Sequence, residues 1–476
     1  MNDDRVDVLV IGSGIAGLSA AVAAKEQGAG TVIVLEATEI VGGASRLSEG
    51  ILVGAGMAIQ AASGIEDSAD LMYTDYQNVN QWGLDAGLAR RLAEESGPTV
   101  DWLAGLGAEF NPAPVKGGYE SVPRCAVAVG RGQGVIDALA RRAKSLGVDV
   151  LLRHRADRLL LDGTAVVGAV VDGQEIRAAA VVVATGGFGA NSALLREHYP
   201  AVAQFDERTW YIGESGSQGD AIALGRGAGA SIVGEGNGLS MLTPGFTRSL
   251  ETYLPGWLVV TDPSGRRFLP ENAHYSVLDC QARLRGGRFF AIFDSAALDP
   301  VRSQQTPFYA GGSKGYPGRE ERRSANWNPT ILQEMRAEHR ILESDTIGGL
   351  AAMAGIPVAQ LEATIAEYNS GAAAGRDRLG KPEEFLRPIE SGPFFAAPLE
   401  HALVVVTGTG IQIDPEARAV DPLGRAIPGL YAAGEASGGV WGAFYPSSGS
   451  SLGSAATLGR IAGRAAAAFA SSRVPV

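Results

Sequence analysis

Tyr445 stands four residues before Gly449, and a run rich in serine, alanine and glycine with helical spacing follows directly. A phenol and a backbone N–H this close together, just ahead of a helix N-terminus, can both donate to one carbonyl oxygen. Donors aimed at an oxygen that becomes an enolate are worth about 2.7–4 kcal/mol each in the transition state. The pair therefore suits enolisation of a ketone. Such chemistry also needs a base for the α-proton and, where the β-hydrogen leaves as hydride, an acceptor for two electrons. The rest of the chain has to supply and position both.

The start of the chain reads as a dinucleotide site. Asp7-Val-Leu-Val-Ile11 is a short apolar, mostly β-branched run, the pattern of a strand buried on both faces. Gly12-Ser-Gly14-Ile-Ala-Gly17 follows at once, and Leu18 to Gln27 reads as a helix. The three glycines serve a tight turn, close backbone approach to a pyrophosphate and close helix–strand packing. The helix N-terminus then offers N–H groups and a positive dipole end to the diphosphate. A second buried strand, Thr31 to Leu35, ends in Glu36, whose carboxylate suits ribose hydroxyls and repels a 2′-phosphate. Val41-Gly-Gly-Ala-Ser45 adds Gly42 and Gly43, where the chain can pass beside a diphosphate. Val181 to Gly187 and Leu430 to Glu435 are further buried strands, ending in Thr185-Gly-Gly187 and Gly434-Glu435.

Composition sets the outer limits. A chain of 476 residues holds two or three domains with substantial cores. Its hydrophobic content of 46% and charged content of 19% fit a globular enzyme. A net charge of −12 argues against nucleic acid or an anionic membrane as partner. Only Cys125 and Cys280 occur, far apart, so neither a disulfide framework nor a zinc site is indicated, and no metal is expected. No Cys-x-x-Cys-His marks a covalent haem. No apolar run approaches the roughly 18 residues of a membrane span, no basic leader precedes the first strand, and the expected location is cytoplasmic.

Because the nucleotide motifs occur at both ends, one domain is expected from two segments, 1–236 and 400–476, with 237–399 inserted as a cap. In the first segment Ala86 to Ser96 and Pro98 to Leu106 read as two helices, and Asn111 to Pro123 as a loop. A helix and strand over Gly134 to Leu152 lead to hairpin-like strands at Leu159 to Val171. The insert shows a strand at Trp257 to Thr261, a turn at Asp262-Pro-Ser-Gly265, a Pro-, Arg- and Gly-rich stretch at 300–330, and helices at 330–341 and 357–370. Domain junctions are natural ligand clefts.

Taken in order, these strand-to-glycine motifs resemble the FAD-binding domain of flavoproteins related to glutathione reductase and succinate dehydrogenase. The resemblance implies an α/β, Rossmann-like FAD-binding domain with an inserted α+β cap, and FAD as cofactor. Around the cofactor it places Gly12, Gly14, Ile15, Ala16 and Gly17, then Glu36 with Ala37, and Gly42 and Gly43 with Ala44 and Ser45. Ala156 and the Ala184-Thr185-Gly186 turn join them. Gly434 and Glu435 are implied at the ribityl chain, and Ser450, Ser451 and Leu452 at the pyrimidine edge of the flavin. No histidine lies near Gly42-Gly43, where the succinate dehydrogenase branch carries its covalent link, so non-covalent FAD is implied.

Over its whole length the chain is similar to the fumarate reductase and 3-ketosteroid dehydrogenase superfamily, whose late signature is matched by Gly434-Glu-Ala-Ser-Gly-Gly-Val-Trp-Gly442. The histidine and arginine of the fumarate reductase pattern fall on Trp441 and Tyr445, and its catalytic arginine falls on Tyr275. A dicarboxylate site is hard to build from three aromatic side chains. The ketosteroid branch fits instead. Its Tyr-x-x-x-Gly pattern is met by Tyr445 to Gly453 without a gap, and its middle-domain tyrosine by Tyr275 in Arg267-Phe-Leu-Pro-Glu-Asn-Ala-His-Tyr275. Pro270, His274, Ser447 and Ser448 depart from the usual residues there.

This resemblance implies that Tyr445 O–H and Gly449 N–H polarise the ketone, Tyr275 takes the α-proton, and the β-hydride goes to flavin N5. A free tyrosine has a pKa of about 10, so Tyr275 needs a relay. Tyr119 matches the helper tyrosine by placement, and His274 and Tyr253 are alternatives. Trp441, Phe444 and Ser447 are expected to line the substrate pocket. The expected substrate is a cyclic ketone, either a 3-ketosteroid ring or a smaller ring such as 4-oxocyclohexanecarboxylate, with Arg124 or the Arg319–Arg323 cluster meeting any carboxylate. No second GxGxxG is present, so a quinone, a dye or oxygen is expected to take the electrons. Two other classes compete: a fumarate-reductase-like or enone reductase on the same scaffold, and a flavin-binding protein without turnover.

Overall fold

The computed structural model describes residues 5–251, 254–299 and 325–472. Two compact units emerge. The first comprises the chain up to Pro200, Gly213–Leu239 and the chain from Val405 onward; the second comprises Ala201–Ile212 and Ser240–Val404. Residues 201–212, which the sequence reading leaves in the first segment, lie with the second unit.

The first unit is built on parallel strands in the order Ala426–Ala432, Gln174–Val183, Val6–Ile11, Val32–Glu36 and Asp149–Leu152. Val8, Leu9 and Val10 are fully buried, as a β-branched strand covered on both faces requires. The expected hairpin is present, with Ala156–Asp162 antiparallel to Ala165–Val171. The sheet brings the motifs that follow its strands to one side. Gly12, Glu36, Ala184 and Ala433 each stand at or just past the carboxyl end of a parallel strand, the side on which open α/β sheets bind ligands.

The first helix runs Ile15–Glu26, so it starts inside the glycine motif and not at Leu18. The last helix, Ser450–Ser471, packs across it backbone to backbone. A Cβ on Gly459 would lie 2.2 Å from the Ala16 carbonyl oxygen, and one on Gly463 would lie 2.1 Å from that of Ala20. These glycines, one helical turn apart, bring together the two helices that start at the candidate site.

One expectation is corrected. Ala86–Gly105 is a single helix with Pro98 inside it, where the sequence reading breaks it in two. An internal proline costs about 3 kcal/mol, and tertiary packing outweighs that here. The Ser96 hydroxyl accepts from the Ala55 N–H at 3.1 Å, and a Cβ on Gly97 would come within 2.0 Å of the Ala55 carbonyl oxygen. Both contacts fall at the expected break, just before Pro98.

The second unit has a sheet ordered Gly238–Thr243, Phe394–Thr407, Phe289–Asp294 and Val259–Thr261. Side chains alternate along its strands. Phe289, Ala291 and Phe293 join a core with Trp257, Leu278 and Trp327. Phe290 and Ile292 join another with Leu350, Leu361 and Tyr368. Helices Tyr275–Arg285 and Pro329–Ala337 contribute to the first core, and Ile347–Ala354 and Val358–Ala373 to the second. Among the described residues no helix is long and apolar enough to cross a membrane.

Candidate active site

The nucleotide edge comes first. Gly12 has φ +108°, and a Cβ there would lie 2.2 Å from the Ala184 carbonyl oxygen; one on Gly17 would lie 1.8 Å from the Gly12 carbonyl oxygen. Both are glycine for packing. Gly14 and Gly43 differ, because the nearest atoms to an added Cβ are the Ser45 hydroxyl at 3.5 Å and the Gly14 Cα at 3.9 Å. That room is a cradle lined by backbone at a helix N-terminus with no acidic residue in its first turn. The Ile15 N–H donates to the Ser45 hydroxyl at 3.1 Å. Ala37 is exposed after Glu36, Ala44 is half-buried beside Gly43, and Ala156 is buried.

Glu36 is buried, and four internal donors meet it. Ser13 N–H and hydroxyl donate to Oε2 at 3.2 and 2.5 Å, and Thr38 N–H and hydroxyl donate to Oε1 at 2.8 and 2.9 Å. A carboxylate has about four such sites, so a ribose hydroxyl has to displace a hydroxyl of Ser13 or Thr38. The sequence reading missed both partners. Thr185 Oγ1 is buried with no hydrogen-bond partner among the described residues. Glu435 accepts from the Thr407 N–H and hydroxyl at 3.2 and 3.3 Å. Burial raises its carboxyl to about 7 against the pull of these donors. The glycine cradle, the unpartnered hydroxyl and the carboxyls of Glu36 and Glu435 form a donor and acceptor set that fits FAD.

The same unit carries the proposed carbonyl donors. Tyr445 is buried, and its oxygen accepts from the Ser451 N–H at 2.7 Å. Burial drives the phenol far above its ordinary pKa, against that hydrogen bond, so it stays protonated. With its oxygen engaged by a helix N–H, Tyr445 is a donor. Trp441 is buried and meets its ring edge-on at 5.7 Å. Gly449 caps the last helix with φ +88°, and a Cβ there would strike Ile51 Cγ2 at 2.7 Å and the Ile51 carbonyl oxygen at 2.8 Å. The backbone demands glycine at 449 whatever its N–H does. The helix starts at Ser450, followed by half-buried Ser451 and buried Leu452.

Two expectations change here. Ser447 does not face a pocket: it is fully buried, and its hydroxyl donates to Glu120. Arg124 is also fully buried and pairs with Asp67 at 2.8 Å and Asp75 at 2.9 Å, so its charge is neutralised inside the fold and is not offered to a ligand carboxylate. Tyr119 is 53% exposed. It sits on a loop that reaches the Tyr445–Gly449 strap through the Gly118–Ser447 bridge. The Arg319–Arg323 cluster and Tyr253 lie outside the described residues.

Other strap partners were invisible in the sequence. Tyr76 and Asn80, one turn apart near the end of a helix, are both buried. Tyr76 hydroxyl meets Ser450 hydroxyl at 3.0 Å, and Asn80 brackets the Phe444 backbone, accepting from its N–H and donating to its carbonyl at 3.1 Å each. The only available signal was two large polar residues at helical spacing with apolar Met72.

In the second unit, Tyr275 is the first residue of its helix and is buried. His274 caps that helix and its ring lies 4.0 Å from the Tyr275 ring. The His274 Nδ1 accepts from the Ser276 N–H at 3.3 Å and meets the Ser276 hydroxyl at 2.6 Å. Glu271 anchors the segment leading to Tyr275. It accepts from Arg267 at 2.8 Å, meets buried Lys381 at 2.9 Å and accepts from the Val260 N–H at 3.1 Å. Burial raises its pKa, but Lys381 and Arg267 outweigh that and hold it low. Glu271→Gln leaves Lys381 buried without its carboxylate and should cost about 3–5 kcal/mol in urea unfolding; unchanged stability would show that the network is dispensable.

Comparison with known proteins agrees with this architecture. Residues 7–452 match the FAD binding domain family. The probable fumarate reductase Ifc3 of Shewanella frigidimarina is 29% identical over 480 residues, covering 98% of this chain and 76% of that protein. Vinyl phenol reductase of Lactiplantibacillus plantarum is 29% identical over 492 residues, covering 98% and 97%. The structure of 3-ketosteroid-Δ4-(5α)-dehydrogenase from Rhodococcus jostii RHA1 in complex with 4-androstene-3,17-dione superposes with a TM-score of 0.76 at 25% identity, covering 98% of this chain and 97% of that one.

Proposed function

We propose, for a chain that belongs to the FAD binding domain family and is an FAD-dependent oxidoreductase acting on carbon–carbon bonds, that its reaction is α,β-desaturation of a cyclic ketone. The observation that carries this reading is Tyr445, a buried phenol kept protonated and held by the Ser451 N–H. Such a group donates to a carbonyl oxygen and cannot pair with a carboxylate as an arginine does.

Bound FAD supplies the two-electron acceptor. The cradle at Gly14 and Gly43, with Glu36, Thr185 and Glu435, holds it without a covalent link. Tyr445 O–H and Gly449 N–H bind the ketone oxygen and stabilise the enolate. Tyr275 takes the α-proton, with Tyr119 as its helper. Trp441 forms an aromatic wall beside Tyr445. With Arg124 internally paired, one cation offered for a ring carboxylate is gone, which favours an uncharged ring such as a 3-ketosteroid over 4-oxocyclohexanecarboxylate.

A second reading is enone reduction, supported by relatives named as reductases. The same donors serve it, because polarising the carbonyl also activates a conjugated double bond. Electron supply sets the direction. The test is anaerobic mixing of oxidised enzyme with 3-ketosteroids, with 4-oxocyclohexane acids and with NADH. A saturated ketosteroid should bleach the flavin and NADH should not. Rapid bleaching by NADH alone would favour the reductase, and bleaching by the keto acids alone would move the substrate to the smaller ring.

A further inference from the structure

Tyr445 and Gly449 are joined by only three residues, Pro446, Ser447 and Ser448, so one short strap sets both carbonyl donors. The strap hangs on the loop before the strand Cys125–Val127. Gly118 bridges Ser447, the Ser448 N–H donates to the Gly117 carbonyl at 3.1 Å, and the Cys125 thiol donates to the Ser448 carbonyl at 3.2 Å. The one side chain of this loop that grips the strap through a carboxyl group is Glu120. It is 2% exposed and accepts from the Ser447 hydroxyl, which is itself fully buried.

We propose that Glu120 is a positioning residue for the Tyr445–Gly449 pair, anchoring their strap through Ser447. The inference rests on the ketone reading of that pair. The surroundings of Glu120 favour its neutral form. Burial raises its pKa, against the lowering influence of the Ser447 hydroxyl, local backbone N–H groups and Arg124. The groups facing it cannot balance a negative charge. Arg124 is held by Asp67 and Asp75, and the Cys125 thiol and Tyr76 phenol are themselves kept neutral by burial. An ionised Glu120 would put an uncompensated charge in the cluster that holds the strap, and would oppose the enolate the strap stabilises.

Three variants of the full-length holoenzyme test this. Glu120→Gln keeps a neutral group of the same shape, Glu120→Ala removes the anchor, and a Cys280→Ala background leaves Cys125 as the sole thiol. The wild type should show a protonated-carboxyl infrared band at neutral pH that Glu120→Gln lacks. Cys125 should resist a thiol reagent in the wild type and Glu120→Gln, and react in Glu120→Ala. Flavin reduction by ketone should fall at alkaline pH in the wild type and keep its rate there in Glu120→Gln. In Glu120→Ala it should be about 10–100-fold slower at every pH, as displaced catalytic groups are. A band unchanged by Glu120→Gln, or a Glu120→Ala protein with wild-type Cys125 shielding, overturns the proposal. If no ketone reduces the flavin, the proposed function fails, while the infrared band and Cys125 shielding still decide the role of Glu120.

Discussion

Tyr275→Phe will bind ketone as the wild type does and reduce its flavin about 10²–10⁴-fold more slowly, the usual contribution of a positioned base. The substitution removes one oxygen from the first turn of the helix Tyr275–Arg285 and leaves its cap, His274 with Ser276, in place. Binding survives because the carbonyl donors belong to another part of the chain. Anaerobic stopped-flow separates the two effects: the concentration dependence gives binding and the plateau gives the rate. Exchange of the ketone α-hydrogen with solvent deuterium should vanish too, since it needs the base and a polarised carbonyl but no hydride transfer. Wild-type flavin reduction in this variant would make Tyr275 a packing residue and move the search for the base to His274, Tyr119 or Tyr253.

Tyr445→Phe acts on the other half of the chemistry. It removes one of two donors to the enolate oxygen, so the rate should fall about 10²–10³-fold, with some weakening of ketone binding. Deuterium exchange should slow without being lost. The Ser451 N–H loses its acceptor in this variant, and the start of the last helix becomes a mild structural weak point. Melting temperature should be measured beside the rate. A variant with unchanged flavin reduction would leave Tyr445 as a helix-capping residue only.

The parts of this protein that were legible in its sequence are those whose cause is local. A β-branched run before glycine specifies Val6–Ile11 and the turn at Gly12, because strand burial and positive φ are properties of a few neighbouring residues. The same holds for the parallel strands ending at Glu36 and Val183. What was not legible depends on partners far along the chain. Ala86–Gly105 stays helical through Pro98 because of Ala55. Ser447 was expected to line the substrate pocket, yet Glu120, 327 residues earlier, takes its hydroxyl. Tyr76 and Asn80 reach residues 374 and 364 positions away. Arg124 looked like a free cation until Asp67 and Asp75 were seen around it. Polar residues in a sequence announce that they need partners but not which ones.

The most direct test of the central claim is an anaerobic single turnover of the oxidised enzyme with a saturated cyclic ketone and no other acceptor. The account predicts bleaching of the flavin and one equivalent of conjugated enone per flavin, with the new double bond α,β to the carbonyl. A flavin that stays oxidised with every cyclic ketone, while the chemically reduced enzyme is reoxidised by fumarate, would contradict it.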